Sequence, residues 1–538
     1  MDPKVIEDAR AAFPSGAGTV ALGAILHGGE CHPEPLATLP LAMANRHGLV
    51  AGATGTGKTR TLQLLAEQFS AAGVPVFLAD MKGDVSGIEQ PGPGGERVAK
   101  RAAETGWAWK AAGFPVEFLS LTGVGGAQLR ATVSSFGPLL LARVLGLNDT
   151  QSSVLSMVFK FADDRHLPLL DLSDLRAVLQ YLTGDGAAEL ESYGGMSKAT
   201  VGVLLRELVE LEQQGAARFF GEPEFELDDL LQLEPDGRGV ISVLELSDLQ
   251  DRPALFSTFM MWMLARLYGD LPEVGDVEKP KLVFFFDEAH LLFDDASKGF
   301  LDQVQQVVRL IRSKGIGVWF VTQSPKDVPG EVLGQLGNRV QHALRAFTPD
   351  DDKALKAAAR TFPKTAHYDV EETLTTLGTG EAFVTVLTPN GAPTPPFAVR
   401  MIPPAARMGP LTPDEMKASL TASAQVKEYS APVDRESARE MLAARMAGAD
   451  TAAASAPDSA PAQGGGAGEK AAEVIGGAAA LAGALFGSRL VRDVARTATR
   501  EVARGALGAL LGAPPRRRTT RRRTTASLAG SLLRNLIR

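Results

Sequence analysis

The run GATGTGKT at residues 52–59 constrains this chain more than any other feature, because it has a known use only between a strand and a helix. Both are predicted here. HGLVAG, residues 47–52, reads as a short apolar strand, and TRTLQLLAEQFSAAG sets Leu62, Leu65, Ala66 and Phe69 on one helical face. VPVFLADM then supplies an apolar run suited to a strand covered on both sides. Strand, loop, helix and strand make one βαβ unit. Glycines let the loop curl with its N–H groups inward, and the helix N-terminus favours an anion. Gly52, Ala53, Thr54, Gly55, Thr56, Gly57, Lys58, Thr59 and Arg60 are therefore the candidate nucleotide-binding residues. In that reading Lys58 meets the β and γ phosphates of ATP, and Thr59 offers its hydroxyl to Mg²⁺.

A second motif completes the chemistry. KLVFFFDEAHLLF ends an apolar strand on Asp287 and Glu288, at the carboxyl edge of the sheet, where α/β proteins bind ligands. Asp287 is the candidate Mg²⁺ ligand, and Glu288 the group that accepts a proton from an attacking water. IGVWFVTQ delivers Gln323 to the end of a further strand, as a candidate sensor of the γ-phosphate or, more plainly, a polar strand cap. Arg309 and Arg312 lie three apart in VVRLIRSKGIG and are predicted to share a helical face, as an arginine finger or as a solvated basic surface. His290, beside LLF, reads as packed and stays outside the catalytic set. ADMKGD brings Asp80, Lys82 and Asp84 to the same edge, with water orientation, coupling and simple turn formation equally open.

The strands, with GVISVLEL at 239–246 and helices such as PALFSTFMMWMLARLYGDL between them, predict a doubly wound α/β fold. Residues 1–46 are expected to form short strands and 47–126 the P-loop part of the core. An all-helical insertion is expected over 127–235, and the rest of the core over 236–403, where QHALRAF and GEAFVTVLT finish the sheet or pair as a hairpin. A helical extension at 404–450, a flexible Ala/Pro/Ser/Gly linker at 451–469 and an Ala/Gly-rich, Arg-rich tail at 470–538 follow.

Charge is distributed unevenly. Residues 489–538 hold 13 Arg against Asp493 and Glu501, so the formal charge of -8 conceals a strongly acidic body and a basic end. That argues against a nonspecific nucleic-acid coat but leaves room for a basic channel. RRRTTRRRTT, with no interleaved aromatics, suits phosphate or anionic surfaces, or is simply solvated. One cysteine, Cys31, and no secretory start lead to a cytoplasmic expectation. AAEVIGGAAALAGALFGS is too weakly apolar for an integral membrane span and reads as a packing helix.

Taken together, HGLVAGATGTGKT, ADMKGD, KLVFFFDEAHLLF, RLIRSKGIGVWFVTQ, QLGNRVQHALRAF and LGTGEA resemble the bacterial HerA-like ATPases related to YjgR, over roughly residues 35–445. Their clan includes FtsK-type DNA pumps and conjugative ATPases. The resemblance implies a RecA-like core, a hexameric homo-oligomeric ring, ATP in the subunit interfaces and substrate in the central channel, with double-stranded DNA the substrate to expect. It also implies an arginine acting in trans, which favours Arg312 with Arg309 as its neighbour. Archaeal HerA carries a β-barrel ahead of its P-loop; only 51 residues precede Gly52 here, so no complete barrel is expected and the DNA-end-processing role is not carried over. The leading expectation is an ATP-hydrolysing ring motor on DNA. The alternative is a nucleotide-gated assembly or signalling ATPase acting on a protein or membrane-surface partner.

Overall fold

The computed structural model describes residues 3–16, 18–249, 252–293 and 298–454. In chain order the elements that matter are α1 (Pro3–Ala12), β1 (Thr19–His27), β2 (Glu30–Pro40), β3 (Gly48–Ala51), α2 (Lys58–Ala71), β4 (Val76–Asp80), α3 (Glu96–Thr105), β5 (Val116–Ser120) and β6 (Ala127–Gln128). Four helices follow, α4 (Val133–Val144), α5 (Asp149–Asp164), α6 (Leu172–Thr183) and α7 (Lys198–Gln213). The chain then returns through β7 (Ile241–Glu245), α8 (Pro253–Asp270), β8 (Leu282–Phe286), α9 (His290–Phe293), α10 (Lys298–Leu310), β9 (Ile316–Thr322), α11 (Gly330–Leu333) and β10 (Asn338–His342). It closes with α12 (Pro349–Ala359), α13 (Val370–Thr376), β11 (Glu381–Thr385), β12 (Phe397–Met401), α14 (Pro413–Ala422), α15 (Ala424–Tyr429) and α16 (Ala438–Ala454).

Among the described residues twelve strands join one sheet in the order β2-β1-β12-β11-β10-β3-β9-β8-β4-β7-β5-β6. From β10 to β6 the neighbours run parallel, and from β10 to β2 they run antiparallel. The strand entering the glycine loop, β3, is flanked by β10 and β9, with β8 and β4 beyond, which is the order of a RecA-like P-loop core. The chain leaves β3 and next enters the sheet three places away, so the carboxyl ends of β3, β9 and β8 border a crevice at a change of winding direction.

Alternation along the buried strands feeds two cores. Leu49, Phe77, Phe284, Phe286 and Phe320 face the helical insertion, α8 and α10; Val50, Leu78, Phe285, Trp319 and Val321 face α2 and the β1–β2 hairpin. The predicted face of α2 is the buried one, with Phe69 packed against Phe285 and Trp319 at ring-centroid separations of 6.1 and 6.5 Å.

Several boundaries differ from the sequence reading. The N-terminal segment holds a helix and two strands of nine and eleven residues, and its hairpin extends the sheet through β12. VEFLS, which lies in the expected P-loop part without having been singled out as a strand, is the sheet strand β5 beside β7. The insertion, expected to be all-helical from residue 127, opens on the sheet strand β6 before α4 to α7, and α4 breaks at Gly137 (φ +77°) ahead of Pro138. QHALRAF gives only Gln341 and His342 to β10, and GEAFVTVLT forms its antiparallel neighbour β11; α12 and α13 lie between them, and the sheet is finished beyond β11 by β12, β1 and β2. Helix α16 continues to Ala454, into the expected linker; the remainder of that linker and the tail lie outside the described residues. Among the described residues no helix is long and apolar enough to cross a membrane.

Candidate active site

The glycine loop is stitched to both flanking strands. Gly52 N–H donates to Thr322 O (3.2 Å) at the end of β9, and Ala53 N–H to Ala343 O (2.9 Å) just past β10. Gly380 N–H donates to Thr56 O (2.8 Å), so the LGTGEA turn forms the outer wall of the loop. Arg101 of α3 braces that turn through Gly380 O (2.9 Å) and Thr379 O (3.1 Å). Gly52 has φ +155°, and a Cβ there would lie 2.5 Å from His342 Cβ; Gly57 has φ +118°, with Gly380 Cα 3.2 Å from the added atom. Neither position accepts a side chain without moving the wall. Behind them His342 is fully buried, and burial holds its imidazole down to about 4, hence neutral. Its Nδ1 donates to Glu381 O and its Nε2 accepts from the Thr61 hydroxyl, both at 2.8 Å.

Lys58 opens α2 and is only 7% exposed. Its ammonium folds back onto the loop, donating to Gly52 O (2.7 Å) and Ala53 O (3.2 Å). Burial pushes it below its ordinary range, with the Glu288 charge acting in the opposite sense. A desolvated cation at a helix N-terminus, held by carbonyls alone, fits an anionic ligand. Thr59 follows on the first turn, half-buried, while the Arg60 guanidinium bonds Gln63 Oε1 at 3.1 Å.

Across β9, Asp287 and Glu288 leave the end of β8. Asp287 is buried, its Oδ2 has no hydrogen-bond partner, and its carboxyl is pushed up to about 7 by burial and the Glu288 charge, against the pull of Lys82. Oxygens of Asp287, Asp84 and Asp80 lie within 4.8 Å of one another. Asp80 spends both of its oxygens on backbone N–H groups of its own turn, whereas Asp84 Oδ1 and Asp287 Oδ2 are buried without partners. Oxygen donors left unpaired beside a phosphate cradle fit a hard divalent cation.

Glu288 sits at φ +48°, a conformation uncommon outside glycine that aims its carboxylate into the site. It forms an ion pair with Lys82, and its Oε2 lies 3.2 Å from His290 Nδ1 without hydrogen-bond alignment. Burial works against the charged form, but the Lys82 ammonium outweighs it and holds the carboxyl below its ordinary value. Gln323 is exposed and lines a cleft of about 600 Å³ with Ala53, Thr54, His290, Arg345 and Phe347.

The two arginines lie elsewhere. Helix α10 ends at Leu310 and tightens into a 3₁₀ turn, so Arg309 and Arg312 belong to different elements. Arg309 is exposed in a polar groove with Glu331 and Gln335, and Arg312 pairs with Asp276 at 3.4 Å. Both precede β9, whose seven residues span about 20 Å at ~3.3 Å each. Neither reaches the glycine loop of its own chain. Two residues beside Glu288 were left unsettled by sequence reasoning: Lys82, whose motif it left open between three roles, and His290, which it set aside as packed.

Compared with known protein families, residues 29–518 match the family described as Helicase HerA-like C-terminal. A probable helicase of Methanocaldococcus jannaschii, MJECL08, is 29% identical over 154 residues, which cover 27% of this chain. The match spans 28% of the length of that curated relative. Among solved structures, the bacterial conjugative coupling protein TrwB is 16% identical with a TM-score of 0.49, covering 74% of this chain and 93% of its own. VirB4 of Thermoanaerobacter pseudethanolicus is 16% identical with a TM-score of 0.43, covering 75% and 100% respectively.

Proposed function

The chain belongs to the HerA-like helicase C-terminal family, and from that premise we propose that it hydrolyses ATP and couples hydrolysis to movement along double-stranded DNA as a ring of identical subunits. One observation carries the hydrolytic part: the anion cradle after β3 and the acidic pair after β8 face one crevice, with Gln323, just past β9, between them. In this reading the loop N–H groups and Lys58 bind the β and γ phosphates, while Thr59 and Asp287 would hold Mg²⁺. When bound, Mg²⁺ neutralises charge on the phosphate oxygens. Glu288 takes a proton from water as the water oxygen bonds to the γ phosphorus and the bond to the bridging oxygen breaks. Gln323 orients that water. Arg312, remote from its own cradle, serves the neighbouring subunit's site, with Arg309 beside it. The family and the archaeal relative, itself a probable helicase, support DNA as the substrate, and a single cysteine suits the cytoplasm.

The acidic body outside residues 489–538 favours a second reading, an assembly or signalling ATPase acting on a protein or membrane-surface partner. Steady-state phosphate release by the whole chain, with and without long double-stranded DNA, separates the two. A DNA motor is expected to gain about tenfold in turnover at low salt and to lose most of that gain at moderate salt, because phosphate contacts release counterions. Robust hydrolysis indifferent to DNA at both salts overturns the DNA assignment in favour of the second reading.

A further inference from the structure

The backbone of the loop after β4 is pinned to Asp80. The Asp80 carboxylate accepts hydrogen bonds from the N–H groups of Lys82 (3.0 Å), Gly83 (2.8 Å) and Val85 (3.0 Å), which sets where Lys82 leaves the backbone. Its ammonium crosses to β8 and pairs with Glu288 Oε1. The partners differ in freedom, since the Lys82 side chain is 42% exposed and that of Glu288 only 7%. A lysine arm is flexible and carries a compact charge with three donors, so it can change partner without any backbone movement. Glu288 has no such latitude in its buried, left-handed turn.

This pairing obstructs the proposed chemistry. Oε1 is occupied by an ammonium, and Oε2, although it has no hydrogen-bond partner, is buried against His290 Nδ1 at 3.2 Å, yet a general base must present an accessible oxygen to water. Something must draw Lys82 away before Glu288 can act. A triphosphate in the cradle brings a concentrated negative charge to a site where Lys58 and Lys82 are already electrostatic neighbours, and phosphate oxygens compete well for an ammonium.

We infer that Lys82 is a positioning residue with two alternating partners, Glu288 while the cradle is empty and the terminal phosphate once a nucleoside triphosphate is bound, so that the carboxylate is released to water only when substrate is present. The inference rests on the ATPase reading and adds how that site withholds its base. A diphosphate lacks the group that attracts Lys82 and leaves the pair closed.

The test uses the whole chain with Lys82→Met, Lys82→Arg, Glu288→Gln and the Lys82→Met/Glu288→Gln double variant, measuring affinities for ADP and for a non-hydrolysable ATP analogue, and ATP turnover. Lys82→Met is expected to weaken the ATP analogue about tenfold, roughly one charge-assisted contact, and to leave ADP within about twofold. Turnover falls with it, and Lys82→Arg recovers most of both. Glu288→Gln removes the competing partner, so it should bind the analogue about threefold to tenfold more tightly than wild type, a gain that disappears in the double variant. Equal losses for ADP and the analogue, or a Glu288→Gln gain that persists without Lys82, overturn the inference while the ATPase reading stands. Absence of phosphate release by the wild type would instead remove the reading beneath it.

Discussion

Glu288→Gln is expected to lower ATP turnover by about 10²- to 10⁴-fold, the range typical of losing a positioned general base, while ATP binding is retained or tightened. Glutamine matches glutamate in size and keeps the carbonyl oxygen, so the buried turn at φ +48° is filled as before. The variant also loses the ion pair with Lys82, but that ammonium is 42% exposed, and a half-solvated pair contributes only about 1 kcal/mol or less to folding. The thermal midpoint should therefore move little. Phosphate release gives the turnover and a fluorescent-nucleotide titration gives the affinity. A variant that binds and hydrolyses like wild type would leave Glu288 a structural residue of a strained turn.

Lys58→Ala is expected to do the converse, abolishing nucleotide binding while sparing the fold. The ammonium is 7% exposed and is held by two carbonyls of its own loop. Such a buried cation, without a carboxylate hydrogen-bonded to it, contributes little net stability, because desolvation offsets what the carbonyls return. Without ligand the variant should melt within about 1 kcal/mol of wild type, or slightly above it. Two or more charge-assisted bonds to phosphate are lost, at about 1.5–3 kcal/mol each, so affinity should fall by roughly 10²-fold or more. At a concentration of 100 times the wild-type Kd, ATP raises wild-type stability by about 2.7 kcal/mol, and this increment should shrink to about 0.4 kcal/mol or less in the variant. A large drop in stability without ligand would mean that Lys58 holds the loop together instead of awaiting an anion.

What the sequence carried well was local. The glycine loop, its strand and helix, and the Asp287–Glu288 strand end each sit in a short window with a strong apolar period, and each is where the pattern put it. β1 and β2 were harder because their strands are interrupted by bulges, and β2 contains Pro33 and Pro35, residues that argue against a regular strand. β5 is short, half-buried at its start and follows Pro115, so its apolar signal is weak. The contacts that organise the site were invisible for a different reason. Lys82 and Glu288 are 206 positions apart, and Thr61 and His342 are 281 apart, so no local window holds both partners. ADMKGD and QHALRAF drew attention as motifs, yet only the sheet order, with β3 between β10 and β9 and β8 next, brings them to one crevice. The arginine pair was misread by continuing α10 past Leu310, where a 3₁₀ turn closed by Gly315 at φ +79° ends the helix.

The most direct test of the hydrolytic assignment is to incubate the wild-type chain with Mg²⁺ and ATP in ¹⁸O-labelled water and to analyse the released phosphate by mass spectrometry. Attack by water on the γ phosphorus puts one solvent oxygen into every phosphate, and the label should appear at the rate of ADP formation. ADP formed without labelled phosphate, or no ADP at all, would contradict the assignment of Glu288 and its cradle to ATP hydrolysis.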